Sequence, residues 1–187
     1  MKQFKKMQSI IMLVICVMFG TSTSAQNTFT LTSNNLQGQA TSKERLNSSG
    51  CNGASQSPQL SWKNAPEGTK SFAITMFDPD APTGSGWWHW VIFDIPADVN
   101  ELASGAGTIS AKLTPKGAIQ SLTDFGVAGY GGSCPPINTG IHQYIITVYA
   151  LKVDKLGLNS STLPPGVGFN LFKNTIAKAS LVFYDQY

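Results

Sequence analysis

The chain has 187 residues, of which only 12% are charged, with 13 Lys and Arg against 10 Asp and Glu. Three of the lysines, Lys2, Lys5 and Lys6, lie in the first 25 residues, which hold no acid. Setting those three aside leaves ten basic against ten acidic residues, which excludes a basic stripe for nucleic acid and a polybasic membrane patch.

The N-terminus has the features of an export signal. The three lysines precede an unbroken apolar run from Ile10 to Phe19, and Thr23-Ser24-Ala25 offers small residues for cleavage before Gln26. This pattern predicts a secretory signal peptide over residues 1–25. The run is too short for a membrane span, which needs about 20 residues. Cys16, inside it, leaves with the signal. Residues 26–187 then form one exported domain, periplasmic or secreted, with a core of ordinary size.

The rest of the chain reads as mainly β. Strands are predicted at Phe29 to Thr32, Gln59 to Trp62, Ser71 to Phe77, Trp87 to Ile95 and Gln143 to Leu151, from runs of aromatic and β-branched residues. Asp78-Pro79 and Pro96 stop two of them. With Pro, Gly, Asn and Ser turns between them and no helical periods, the strands imply an antiparallel sandwich. Ala97 to Gly117 reads as a long surface connection. A short helical turn is expected near Leu156 to Leu158. One helix is expected from Phe169 to Ala179, with Leu171, Phe172, Thr175, Ile176 and Ala179 on one face and Asn170 as its cap. Exposed apolar strand edges make a homodimer a candidate state.

Two cysteines remain after the signal, Cys51 and Cys134, both among loop residues. An even count in an exported chain suggests a disulfide between them. Two free thiols are the alternative.

Chemistry-bearing residues gather in two places. Asp78-Pro79-Asp80-Ala81-Pro82 is followed by Gly86-Trp87-Trp88-His89-Trp90, and Gly129-Tyr130-Gly131-Gly132-Ser133-Cys134-Pro135-Pro136 precedes His142, the only other histidine. Strand alternation puts Trp87, His89, Val91 and Phe93 on one face, and Trp88, Trp90, Ile92 and Asp94 on the other. It puts His142 and Tyr144 side by side. Asp78 is placed to set the tautomer or charge of a histidine. The glycines let a ligand approach main-chain amides, which can form an anion-binding nest. These residues point to a small anion-accepting pocket. Trp88 and Trp90 read as packing, and Trp87 stands between packing and the site.

The Asp-Pro-Asp-Ala-Pro segment, the Trp-Trp-His-Trp strand, Gly-Tyr-Gly-Gly-Ser-Cys-Pro-Pro and His142-Gln143-Tyr144 together resemble the phosphatidylethanolamine-binding protein family, which includes the Raf kinase inhibitor protein. Ser57-Pro58-Gln59-Leu60-Ser61-Trp62 resembles its bacterial exported branch. The resemblance runs from about Leu31 to Tyr184. It implies an antiparallel β-sandwich with a few peripheral helices and a pocket for phosphate-bearing head groups or simple oxyanions. Its ligand positions fall on Asp78, His89, Pro136, His142 and Tyr144, with backbone from Gly132. Asp80 and Trp87 are further candidates, and Asp80 can instead bond within its own turn. Gln143 stands where the family usually has arginine, on the face away from His142, and Ser133 where the bacterial branch often has proline. The implied role is a binding module, with a protein partner it inhibits or modulates as a further candidate, and not an enzyme. No cofactor is implied.

Two catalytic alternatives use the same residues. Ser133, His142 and Asp78 could serve as nucleophile, base and acid of a hydrolase, although no strand-turn-helix elbow surrounds Ser133. Asp78, His89 and His142 could serve as a metal-binding triad.

Overall fold

The computed structural model describes residues 27–187, so the signal peptide expected over 1–25 lies outside the described residues. The protein is mainly β, built of two antiparallel sheets. In chain order the strands are β1 (Thr30–Thr32), β2 (Leu60–Lys63), β3 (Ser71–Asp78), β4 (Trp87–Pro96), β5 (Glu101–Leu102), β6 (Ile119–Gln120), β7 (His142–Leu151) and β8 (Thr175–Asp185), with helix α1 (Pro164–Asn174) between the last two. One sheet has the order β1-β2-β5 and the other β6-β4-β3-β7-β8.

Burial on both faces explains the near-continuous apolar runs of β3, β4 and β7. Ile74, Met76, Trp90, Ile92, Ile146 and Val148 pack against Leu31, Leu60, Trp62 and Leu102 of the small sheet. The opposite face carries Ala73, Val91, Phe93 and Leu151, covered by Val167 and Leu171 of α1. β3 ends at Asp78 because Pro79 has no N–H to continue the ladder.

Four expectations need correction. The helix runs from Pro164 to Asn174, not from Phe169 to Ala179. Its start is set by Pro164, whose fixed φ and missing N–H suit the first helical position. Asn170 lies inside it and donates to the Gly166 carbonyl. Thr175, Ile176 and Ala179 belong to β8, which pairs with β7 from His142↔Asp185 to Leu151↔Thr175. That ladder outweighs the local helical period. Residues 156–158 form no helical turn. Ala97 to Gly117 is more than a surface connection, since its strand β5 pairs with β2 and the segment buries Leu102 and Ala106.

The fourth correction concerns strand parity in β4. The β3–β4 register passes from Met76↔Trp90 to Phe77↔Trp88, leaving His89 as an extra residue. Such a bulge shifts the alternation by one. Trp88 packs with Val91 and Phe93. His89 turns inward with Trp90, its ring edge-on to Tyr144 at 5.1 Å. A second irregularity between Phe72 and Ile74 coincides with Asp94 at φ 58°, and it returns Ile95 to the inner face beside Ile92.

Candidate functional site

The bulge brings the chemistry-bearing residues together at one end of the large sheet. Asp78 closes β3 opposite Trp87 of β4. Tyr144 lies one step beyond the Phe77↔Ile145 pair of β3 and β7. Here a cavity of about 230 Å³ opens, lined by Asp78, Trp87, His89, Phe125, Cys134 and Pro136 together with Leu46, Ser49 and the turn Ala81-Pro82-Thr83.

His142 and Tyr144 stand behind this lining. His142 Nδ1 lies 2.8 Å from Asp78 Oδ2, and both side chains are buried. The carboxylate accepts, so Nδ1–H is the tautomer this contact selects. His142 Nε2 is 2.9 Å from Thr139 Oγ1, which is also 2.6 Å from the Pro136 carbonyl oxygen. The other Asp78 oxygen accepts from the Asp80 N–H at 2.8 Å. Asp80 Oδ2 in turn accepts from the Gln143 N–H. Asp80 therefore braces the turn against β7 and lies outside the cavity lining.

His89 is 4% exposed. Its Nδ1 sits 3.1 Å from the carbonyl oxygens of both Gly131 and Gly132. Two carbonyls can only accept, so Nδ1 carries the proton and Nε2 presents a lone pair. Burial pushes the imidazole down to about 4, opposed by Asp78 and the two carbonyls. Among the described residues no group hydrogen-bonds Nε2. Phe125 packs edge-on against both the His89 and Trp87 rings.

Tyr144 is fully buried, and among the described residues its hydroxyl makes no hydrogen bond of ordinary geometry. It lies beside Asp78 and the Cys134 backbone, and burial first, then Asp78 and Asp185, push its ionisation up. It therefore keeps its proton as a donor. An unpaired buried hydroxyl costs roughly 1–3 kcal/mol.

Two amides of the glycine stretch are engaged within the protein. The Gly131 N–H donates to the His89 carbonyl and the Tyr130 N–H to the Gly107 carbonyl. The stretch presents carbonyls to the imidazole, and those two amides hold the backbone. Gly132 is required by close approach: a Cβ there would lie 2.3 Å from the Leu46 nitrogen. Ser133 is buried, and its hydroxyl donates to Asp185 at 2.6 Å. Asp185 also accepts from Arg45 Nε at 2.9 Å. The nucleophile–base contact that a hydrolase needs between Ser133 and His142 is not formed. Among the described residues, no group of three His, Cys, Asp or Glu side chains is placed to hold a metal ion.

Cys51 and Cys134 form a disulfide, Cα–Cα 5.8 Å. It fastens the 46–51 loop to the cavity wall, so Leu46 and Ser49 enter the lining. Sequence reasoning missed these two and Phe125. The cysteine pair was the signal for the first two, whereas nothing local marks Phe125.

A phosphatidylethanolamine-binding protein family model matches residues 36–185. The chain belongs to the phosphatidylethanolamine-binding protein family. It is 46% identical to the Escherichia coli protein YbcL over 155 residues, covering 82% of this chain and 85% of YbcL. The YbcL crystal structure superposes with a TM-score of 0.83, at 44% identity, over 85% of this chain and 98% of that one. A homologue structure from Chlamydia trachomatis gives a TM-score of 0.68 at 28% identity, over 86% of this chain and 99% of that one. A Mycobacterium tuberculosis protein bearing a lipoprotein name, LppC, is 35% identical over 70% of this chain and 57% of its own length. Among the described residues, no helix is long and apolar enough to cross a membrane.

Proposed function

We propose that this family member is an exported binding module whose cavity receives the small anionic or phosphate-bearing head of a ligand, and that it is not a catalyst. The unpartnered Tyr144 hydroxyl carries the reading. It is a buried donor behind the cavity lining, and a ligand oxygen reaching past that lining would satisfy it. Export is supported by the lysine-led apolar run of residues 1–25 and by the lipoprotein name of LppC. The exposed side chains of Ile137 and Ile141, in the segment between Pro136 and β7, support a protein partner at the cavity's edge.

The test is calorimetric titration with inorganic phosphate at pH 6. Saturable one-to-one binding that weakens at least tenfold in Tyr144→Phe is the expected result. Ester hydrolysis by purified protein that disappears in His142→Gln, with no phosphate binding, would replace the module with an enzyme.

A further inference from the structure

The cavity that receives an anion in this reading lacks what an anion ordinarily needs. No Lys or Arg lines it. The nearby Arg45 side chain is paired with Asp185. Of the ionisable side chains at the cavity, Asp78 is an acceptor and His89 is fixed by two carbonyls with a bare Nε2 facing no protein partner. Among the described residues, the side-chain donors without a hydrogen bond here are neutral ones: the Ser49 hydroxyl and the Trp87 indole N–H of the lining, and the Tyr144 hydroxyl behind it. A bare oxyanion would meet an imidazole lone pair and a carboxylate in this lining, and both repel it.

A proton removes the conflict. Placed between a ligand oxygen and His89 Nε2, it turns a lone-pair clash into a charge-assisted hydrogen bond, while the Nδ1–H bonds to Gly131 and Gly132 stay as they are. Both carbonyls would polarise the same ring and favour its cationic form. Resting on the anion-pocket reading, we propose that the cavity binds an oxyanion only together with one proton, so that the species recognised is an oxyacid in its protonated form: a hydrogen phosphate ester or a carboxylic acid. The proton is shared between the ligand oxygen and His89 Nε2, which stands in the cavity lining.

The charged and titratable groups around His89 are compatible with this uptake. Asp78 faces it from β3, and Asp124, which accepts the Trp88 N–H at 2.8 Å, faces it from the loop after β6. Tyr144 packs on it from β7, and His142 reaches it only through Asp78. Both carboxylates favour a proton on the imidazole. Burial holds it off, at about 4, until an anion supplies the missing countercharge.

The probe is sulfate, which stays a dianion between pH 5 and 8, so any pH dependence belongs to the protein. Affinity should rise about tenfold per pH unit on going from pH 7 to pH 5, the slope of one proton taken per anion. Calorimetry in buffers of different ionisation enthalpy should count one proton taken up. His89→Asn keeps a donor for the two carbonyls and lacks Nε2, and its residual binding should lose the pH slope. Sulfate binding that is pH-independent, or that is equally steep in His89→Asn, overturns the proton coupling and leaves the anion pocket standing. Failure of sulfate, phosphate and acetate to bind at any pH from 5 to 8 defeats the anion pocket itself. Methylammonium binding that strengthens with pH would make the cavity a cation site and overturn both.

Discussion

His89 combines two facts that rarely sit comfortably together: near-total burial and a ring nitrogen with no protein partner. Its depressed ionisation has a consequence for folding. The ordinary histidine value is about 6.5, and the folded value here is about 4. Between those two pH values the unfolded chain binds a proton that the folded chain does not. Stability is therefore full above pH 6.5 and falls as pH drops towards 4, by on the order of 3 kcal/mol from this group. Urea unfolding at pH 7 and pH 4.5 should show a smaller difference in His89→Asn than in the parent chain. An unchanged difference would mean that His89 is not neutral in the folded protein. Asp78 is the second residue whose removal is felt. It holds His142 through one oxygen and the Asp80 turn through the other. Asp78→Ala leaves a buried imidazole without its partner and should cost about 3 kcal/mol, read as a lower denaturant midpoint. Asp78→Asn keeps an acceptor of the same shape and should cost less.

Two elements decide how the site is assembled, and they differ in how visible they are in the sequence. The aromatic and β-branched runs of β3, β4 and β7 mark themselves, and so does the sandwich they imply. The bulge in β4 does not, because nothing in Trp87-Trp88-His89-Trp90 marks which residue is extra. The long-range register with Met76 and Phe77 decides it. Simple alternation therefore put Trp87 and His89 on the right side for the wrong reason, with Val91 and Phe93 as their companions. β8 was hidden similarly: Thr175 to Ala179 continues a helical period, and only pairing with β7 makes it a strand. Helix α1 gives a clean test of the corrected boundary. Leu171 is buried against the sheet, while Phe172 is 84% exposed. Leu171→Ala should lose about 2–5 kcal/mol, whereas Phe172→Ala should stay within about 0.5 kcal/mol of the parent. The predicted helical face, which placed Phe172 beside Leu171, would require comparable losses.

At the scale of the whole molecule, the cavity is a meeting of distant segments, and one covalent bond holds part of that meeting. β3 and β4 supply the floor, with β7 behind it, whereas Leu46 and Ser49 come from a loop with no strand of its own. Backbone bonds from the Leu46 N–H to the Ser133 carbonyl and from the Gly53 N–H to the Leu46 carbonyl hold that loop locally. The Cys51–Cys134 bridge spans 83 residues. Closing a loop of that length stabilises the fold by about 4–5 kcal/mol in the chain-entropy model, a large share of the roughly 5–15 kcal/mol that keeps a domain folded. The double variant Cys51→Ser, Cys134→Ser should therefore unfold at a clearly lower denaturant concentration than the oxidised parent. Treating the parent with a reductant should bring it to the same midpoint. Binding should respond separately. Cys134 is itself a wall of the cavity and Cys51 anchors the loop that supplies another. Under conditions where the double variant is fully folded, oxyanion affinity should fall while the Asp78–His142 pair, which belongs to the strands, keeps its geometry. If stability falls and affinity does not, the bridge serves the fold alone and the strand floor suffices to form the site.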